Sequence, residues 1–121
     1  MFCLFSPYRA IGGNGDRAYQ CSGCGALVTY SDRLLWIGGT FRHQFVNPAG
    51  ISFEFYTFAS CPGVVAEGAA TEQHTWFPGY QWSFAFCGNC GQHLGWHYEA
   101  VSSRTKPGQF WGLLVTHLFS R

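Results

Sequence analysis

Two C-x-x-C pairs, Cys21/Cys24 and Cys87/Cys90, constrain the fold of this chain more than any other feature. Zinc prefers four tetrahedral thiolates in structural sites, and this spacing lets two sulfurs from one tight turn reach a single metal. Both turns carry small residues, Ser22-Gly23 then Gly25 and Gly88-Asn89 then Gly91. A glycine after each second cysteine suits a knuckle whose backbone enters the positive-φ region. A four-thiolate site is closed, so its expected role is structural, with apparent binding on the order of 10 kcal/mol. His93, close after Cys90, is a competing ligand, but it opens an expected strand and four ligands already exist.

The redox compartment decides between metal and disulfides. Met1-Phe2-Cys3-Leu4-Phe5 is apolar but too short for an export signal, and no basic segment precedes it. The expected location is therefore the reducing cytoplasm, where thiols bind metal more often than each other. Disulfides and redox-active dithiols remain the alternatives. Cys3 and Cys61 are left over, and Cys61 in Ser60-Cys61-Pro62-Gly63 has no basic partner nearby to activate it.

At 121 residues the chain is expected to form a single domain over 1–121, with a loosely ordered N-terminal segment over 1–16. Charged residues are 11% and aromatics 19%, the reverse of a disordered composition. The net charge of +1 contains no run of Lys or Arg, which argues against nucleic acid or anionic membrane as a partner. No apolar stretch approaches the roughly 18–20 residues that span a bilayer.

From Tyr19 onward the pattern is β. Residues 26–30, 34–37, 41–46, 51–58, 80–86, 93–101 and 110–116 read as short strands, and 62–74 as a connecting loop. Asn47-Pro48-Ala49-Gly50 is a turn by composition. The expected class is all-β, about eight strands in small sheets. Trp36 and Trp111 read as core. Trp76 and Trp82 bracket Phe77-Pro78-Gly79-Tyr80, while Trp96 and Tyr98 share one strand face. Several large rings gathered there read equally as a ligand box or as core.

The ordered motifs resemble the cereblon-type thalidomide-binding (CULT) domain family, most closely its stand-alone bacterial members. They are Cys21-x-x-Cys24, Val46-Asn47-Pro48-x-Gly50, His74-x-Trp76-Phe77-Pro78-Gly79-Tyr80-x-Trp82, Cys87-x-x-Cys90, His93-Leu94-Gly95-Trp96-x-Tyr98 and Pro107-x-x-Phe110-Trp111-Gly112-Leu113. The resemblance implies a β-tent, two antiparallel sheets at a steep angle pinned by one structural zinc on Cys21, Cys24, Cys87 and Cys90. It implies a cage of Trp76, Trp82 and Trp96, with Tyr98 where the family usually has phenylalanine, its hydroxyl expected at the rim. Asn47 and Pro48 match the loop that closes over the ligand, and His74 the residue that hydrogen-bonds it; Thr75 and Phe77 join the ligand-binding set through the same string. The implied ligands are cyclic imides: glutarimides, thalidomide-type drugs, succinimides, hydantoins and uracil-like rings. The sequence lacks the Lon-like domain and the helical segment through which cereblon docks on its ubiquitin ligase adaptor, so a monomeric binding module without that partner is expected.

The chemistry suits such ligands. Ring walls bury the methylene edge at about 0.8 kcal/mol per CH₂. The imide edge needs an acceptor between donors, which extended backbone near His74 and Trp76, aided by an indole N–H, can supply; ligands lacking the imide would leave those groups unpaired. Two other functions compete. An aromatic cage also attracts methylated ammonium groups, yet Glu72 and Glu99 are the nearby acids and Glu99 should face away from the cage. A methionine sulfoxide reductase of the B type shares the tent and knuckles but would have to use Cys61, and an imide hydrolase has only His74 as a base. The expectation is a binder and not an enzyme.

Overall fold

The computed structural model describes residues 16–120. Cys3 and all but Asp16 of the N-terminal segment expected to be loose therefore lie outside the described residues. Nine strands form two antiparallel sheets, and no α-helix occurs among the described residues. The smaller sheet contains β1 (Ala18–Cys21), β2 (Leu27–Tyr30) and β9 (Leu118–Ser120), in the order β2-β1-β9. The larger contains β3 (Arg42–Val46), β4 (Ser52–Phe58), β5 (Val64–Thr71), β6 (Tyr80–Cys87), β7 (His93–Ala100) and β8 (Gln109–Leu114), in the order β3-β4-β8-β7-β6-β5. This is the two-sheet, all-β architecture expected.

Alternation along the strands of the larger sheet sends side chains to two separate cores. One draws on both sheets: Cys21 and Val28 meet Phe58, Val64, Ala85, Leu94 and Leu113. The other lies on the opposite face, where Phe55, Trp96, Tyr98, Phe110 and Leu114 are covered by Phe77 and Tyr80. The buried Val, Leu and Phe side chains among these are each worth roughly 1.5–3 kcal/mol of apolar burial. Glycines permit the closest approaches. Gly112, opposite Trp96, leaves room for Phe55, since a Cβ there would lie 2.8 Å from its ring. Gly63 splices the two sheets: its N–H donates to the Val28 carbonyl (3.0 Å), and its carbonyl accepts from Gly88 N–H (2.8 Å). A Cβ at Gly63 would collide with the Leu27 carbonyl and stand 2.9 Å from Val28 Cα.

Three expectations need correction. Residues 62–74 are not simply a loop, because β5 pairs with β6 as the outer strand of the larger sheet. Its central residues 65–69 are exposed, so no alternation marked it, and Gly68 (φ 93°) lies in the register shift between Glu67 and Thr71. The apolar run 34–37 forms no strand; it makes single bridges at Leu34 to Phe58 and Ile37 to Thr40. Trp36, read as core, is 64% exposed, its ring edge-on to Phe41 at the surface. The short run that turns it outward never enters a ladder. Trp111 is half-buried against the inter-sheet core.

Candidate functional site

The four paired cysteines come together. Cys21 ends β1 of the smaller sheet and Cys87 ends β6 of the larger, so one knuckle comes from each. All four sulfurs lie within 4.8 Å of one another, with Cys21–Cys90 and Cys24–Cys87 both at 3.7 Å. A tetrahedron with Zn–S arms of about 2.3 Å has edges of about 3.8 Å, so the donor set fits zinc. Gly25 and Gly91 adopt φ of 79° and 80°, completing the knuckles. Backbone N–H groups of Gly23, Ala26 and Asn89 donate to Cys21, Cys24 and Cys87 at 3.4–3.5 Å. The Asn89 side-chain amide, 3.3 Å from Cys24 Sγ, and then the Ala26 N–H pull that thiol down to about 6. Such donors favour thiolates, the form a metal requires. His93 is no part of this cluster. Cys61 is 5% exposed in the inter-sheet core, and burial pushes its thiol well above the ordinary range.

On the far face of the larger sheet, β6 and β7 pair Trp82 with Tyr98, Phe84 with Trp96 and Phe86 with His93. Simple alternation would place His93 and Trp96 on opposite faces, because three positions separate them. A bulge intervenes: Ala85 pairs with Gly95 and Phe86 with His93, leaving Leu94 extra. The bulge brings the His93 ring round to the Trp96 face, as bulges commonly re-aim a side chain.

This face, the β5–β6 connection and the β3–β4 hairpin enclose a cavity of about 300 Å³. Of the site residues expected from sequence, Trp76, Trp82, Trp96, Tyr98, His74, Asn47 and Pro48 line it. Trp76 and Trp96 stand nearly perpendicular, with centroids 5.1 Å apart and planes at 82°. Thr75 and Phe77 do not line it. The Thr75 hydroxyl caps the local turn on the Phe77 backbone, and the Phe77 ring is buried edge-on against Tyr98 and Phe110. Tyr98 is not at a rim; it is 2% exposed, and its hydroxyl has no hydrogen-bond partner among the described residues. Phe53, Phe84 and His93 line the cavity as well, although sequence reasoning passed them over. The Phe53 and Phe84 rings were indistinguishable from core aromatics, and His93 was hidden by the bulge.

Polar groups set the cavity's chemistry. Asn47 Oδ1 accepts from the N–H groups of Ala49 (3.0 Å) and Ile51 (2.9 Å), so it braces the hairpin tip. Trp82 Nε1 donates to the Gln73 carbonyl at 2.8 Å, and Trp76 Nε1 reaches the Val46 carbonyl at 3.4 Å. The Trp96 indole N–H has no partner among the described residues. His74 takes φ of 58°, a left-handed conformation uncommon for a residue with a side chain. No hydrogen bond to another described residue uses the His74 carbonyl or the Trp76 N–H or carbonyl. No carboxylate or thiol among the described residues lines the cavity.

Comparison with known proteins follows the same lines. A family described as Yippee zinc-binding/DNA-binding/Mis18, centromere assembly, matches residues 17–119. Protein cereblon of Gallus gallus is 38% identical over 77 residues, which is 64% of this chain and 17% of that protein. Protein cereblon of Danio rerio is 39% identical over 69 residues, 57% of this chain and 16% of that protein. The Drosophila willistoni protein of that name is 32% identical over 101 residues, 81% of this chain and 16% of that protein. The chain thus spans about a sixth of the length of these relatives.

Proposed function

The chain belongs to the Yippee-Mis18 family and carries a cereblon-like domain, and from that premise we propose that its aromatic cavity binds cyclic imides. One observation carries the reading. Three tryptophans wall a cavity beside a backbone segment whose His74 carbonyl and Trp76 N–H and carbonyl have no hydrogen-bond partner among the described residues. A glutarimide ring presents the complement, an apolar methylene edge and an imide edge of one N–H between two carbonyls. The rings would cover the methylenes, and the His74 and Trp76 backbone groups, with the Trp96 indole N–H, would pair the imide. Related rings with that edge, namely succinimide, hydantoin, uracil and thalidomide-type drugs, belong to the same ligand class.

In this reading the protein is a binder, with one structural zinc on the four thiolates fixing the β6–β7 turn. A zinc ion there supplies cross-linking between the sheets, and the closed ligand set leaves no position for substrate. Two features weigh against the competing readings. A methylammonium reader gains from a counter-charge, and no carboxylate among the described residues lines the cavity. A sulfoxide reductase needs a nucleophilic thiol, and Cys61 is buried in the other core. The net charge of +1, without a basic run, gives no support for a nucleic-acid role.

The test is a titration of zinc-loaded protein with glutarimide, followed by tryptophan fluorescence and calorimetry. Saturable binding that uracil or succinimide competes away, with the ligand recovered unchanged, is the expected result. No response at millimolar glutarimide, or preferential binding of tetramethylammonium, overturns it.

A further inference from the structure

We propose that His43 makes the edge strand β3 an acid-sensitive latch: when its imidazole takes up a second proton, β3 and the hairpin tip it leads into come away from the aromatic layer beneath. The inference goes beyond the imide reading and does not depend on it.

The sheet holds β3 from one side. It is the outer strand of the order β3-β4-β8-β7-β6-β5, so its ladder runs to β4 alone, from Arg42–Tyr56 to Val46–Ser52. Along the strand only His43 is buried, at 8% exposed, while Phe45 is half-buried. His43 is therefore its main anchor. The ring stacks with Phe45 and Phe55 at centroid distances of 6.2 and 5.6 Å and meets Phe77 edge-on at 5.3 Å. A strand held this way can open locally at less cost than unfolding the domain. Its tip bears Asn47 and Pro48, so opening removes one wall of the cavity.

The surroundings suit a neutral ring. His43 Nε2 lies 3.3 Å from Thr57 Oγ1, and that hydroxyl gives its own proton to the Leu35 carbonyl at 2.7 Å. Thr57 thus accepts from Nε2–H, and Nδ1 is left to take up a further proton. A cation there exchanges water for phenylalanine rings, a cost that one hydroxyl does not offset. Burial holds the ring's pKa below the ordinary histidine range, against an opposing bond to the Thr40 backbone. Phenylalanine faces attract cations, but 5.6 and 6.2 Å lie at the outer limit of that contact, about 6 Å. Neighbouring charges are turned elsewhere. Arg42 pairs with Glu54 at 2.9 Å on the opposite face of the hairpin, over Tyr56. Arg33 pairs with Asp32 at 3.2 Å. In the β5–β6 connection Phe77 meets the ring, whereas Glu72 and His74 are exposed. Tyr80 and Tyr98, in the same core, have raised pKa values and stay neutral in acid.

Linkage sets the direction. With a folded pKa below the unfolded value of about 6.5, the latch is at full strength above 6.5 and weakens as pH falls towards the folded value. One proton is taken up, so the opening constant rises by up to about tenfold per pH unit in that window.

The experiment follows amide hydrogen exchange and histidine ring signals by NMR in the zinc-loaded full chain between pH 7.5 and 5.5. After correction for the intrinsic pH dependence, opening of residues 42–46 should rise as stated, with β1 and β6 unchanged, and His43 should titrate below 6.5. Neither readout needs a variant. His43→Phe, which keeps a ring in the layer, should make opening of 42–46 independent of pH. His93, also lowered by burial, lies in the interior strand β7, so its titration would not single out β3. His43 titrating at or above 6.5, exchange at 42–46 that ignores pH, or acceleration shared equally by β1 and β6 overturns the latch. A pH dependence that persists in His43→Phe overturns it as well.

Discussion

Removing one oxygen atom from either of two buried tyrosines should change stability in opposite directions. Tyr98 is 2% exposed and Tyr80 7% exposed, and both pack on Phe110. Their hydroxyls differ. Tyr80 donates to the Pro107 carbonyl at 2.7 Å, while the Tyr98 hydroxyl has no partner among the described residues. A buried hydroxyl without a partner costs about 1–3 kcal/mol in lost hydration, whereas a made hydrogen bond contributes about 0.5–1.5 kcal/mol net. Tyr98→Phe should therefore stabilise the ligand-free protein by about 1 kcal/mol, and Tyr80→Phe should destabilise it by a similar amount. For a domain of this size that is a rise and a fall in Tm of about 4 °C each. Alkaline pH supplies a second axis. Burial raises both tyrosine pKa values above the ordinary 10.0. A raised folded pKa means a contribution that is full below the unfolded value and lost as pH rises towards the folded one. The unaltered protein should thus lose stability above pH 10 more steeply than Tyr98→Phe. Urea melts at pH 7 and pH 10.5 measure both effects. A Tyr98→Phe protein that melts lower than the unaltered one at pH 7 would refute the claim that its hydroxyl is unsatisfied.

Other substitutions probe the remaining joints. Gly63→Ala places a Cβ against Leu27 and Val28 backbone, which no rotamer change relieves, and should cost about 2–3 kcal/mol or block folding, read by thermal melting. Cys87→Ser should yield metal-poor, unfolded protein; stoichiometric zinc by elemental analysis together with an unchanged melt would refute the clamp. Trp82→Ala, at the cavity wall and half-exposed, should keep the fold by circular dichroism while weakening glutarimide by about thirtyfold or more, as loss of an aromatic anchor does.

What the sequence revealed depended on how local each signal was. The knuckles were legible because two thiols and their glycines sit within one turn, and the tryptophans because their string is dense. Which ring faces the cavity is set by packing, and there the reading slipped: Phe77 lies next to Trp76 yet points into the core, while Phe84, to which the expected strand 80–86 gave no role, stands at the cavity. Strand β5 escaped because alternation registers only where one face is buried, and its middle is exposed on both. Trp36 was read inward by hydrophobicity alone, although nothing obliges a large apolar residue to be buried.

The extra residue at Leu94 turns the β6–β7 hairpin into a phase device. Between the second knuckle and Trp96, residue count decides which rings look outward, so length in this segment carries information that residue identity does not. Removing one residue from 91–95 would cancel the bulge and force a choice: either His93 turns to the inter-sheet core, or Trp96 and Tyr98 do. A stretch like this tolerates exchange of side chains far better than a change of length. Anyone transplanting the cavity onto another β-hairpin would have to carry the knuckle and the bulge across together.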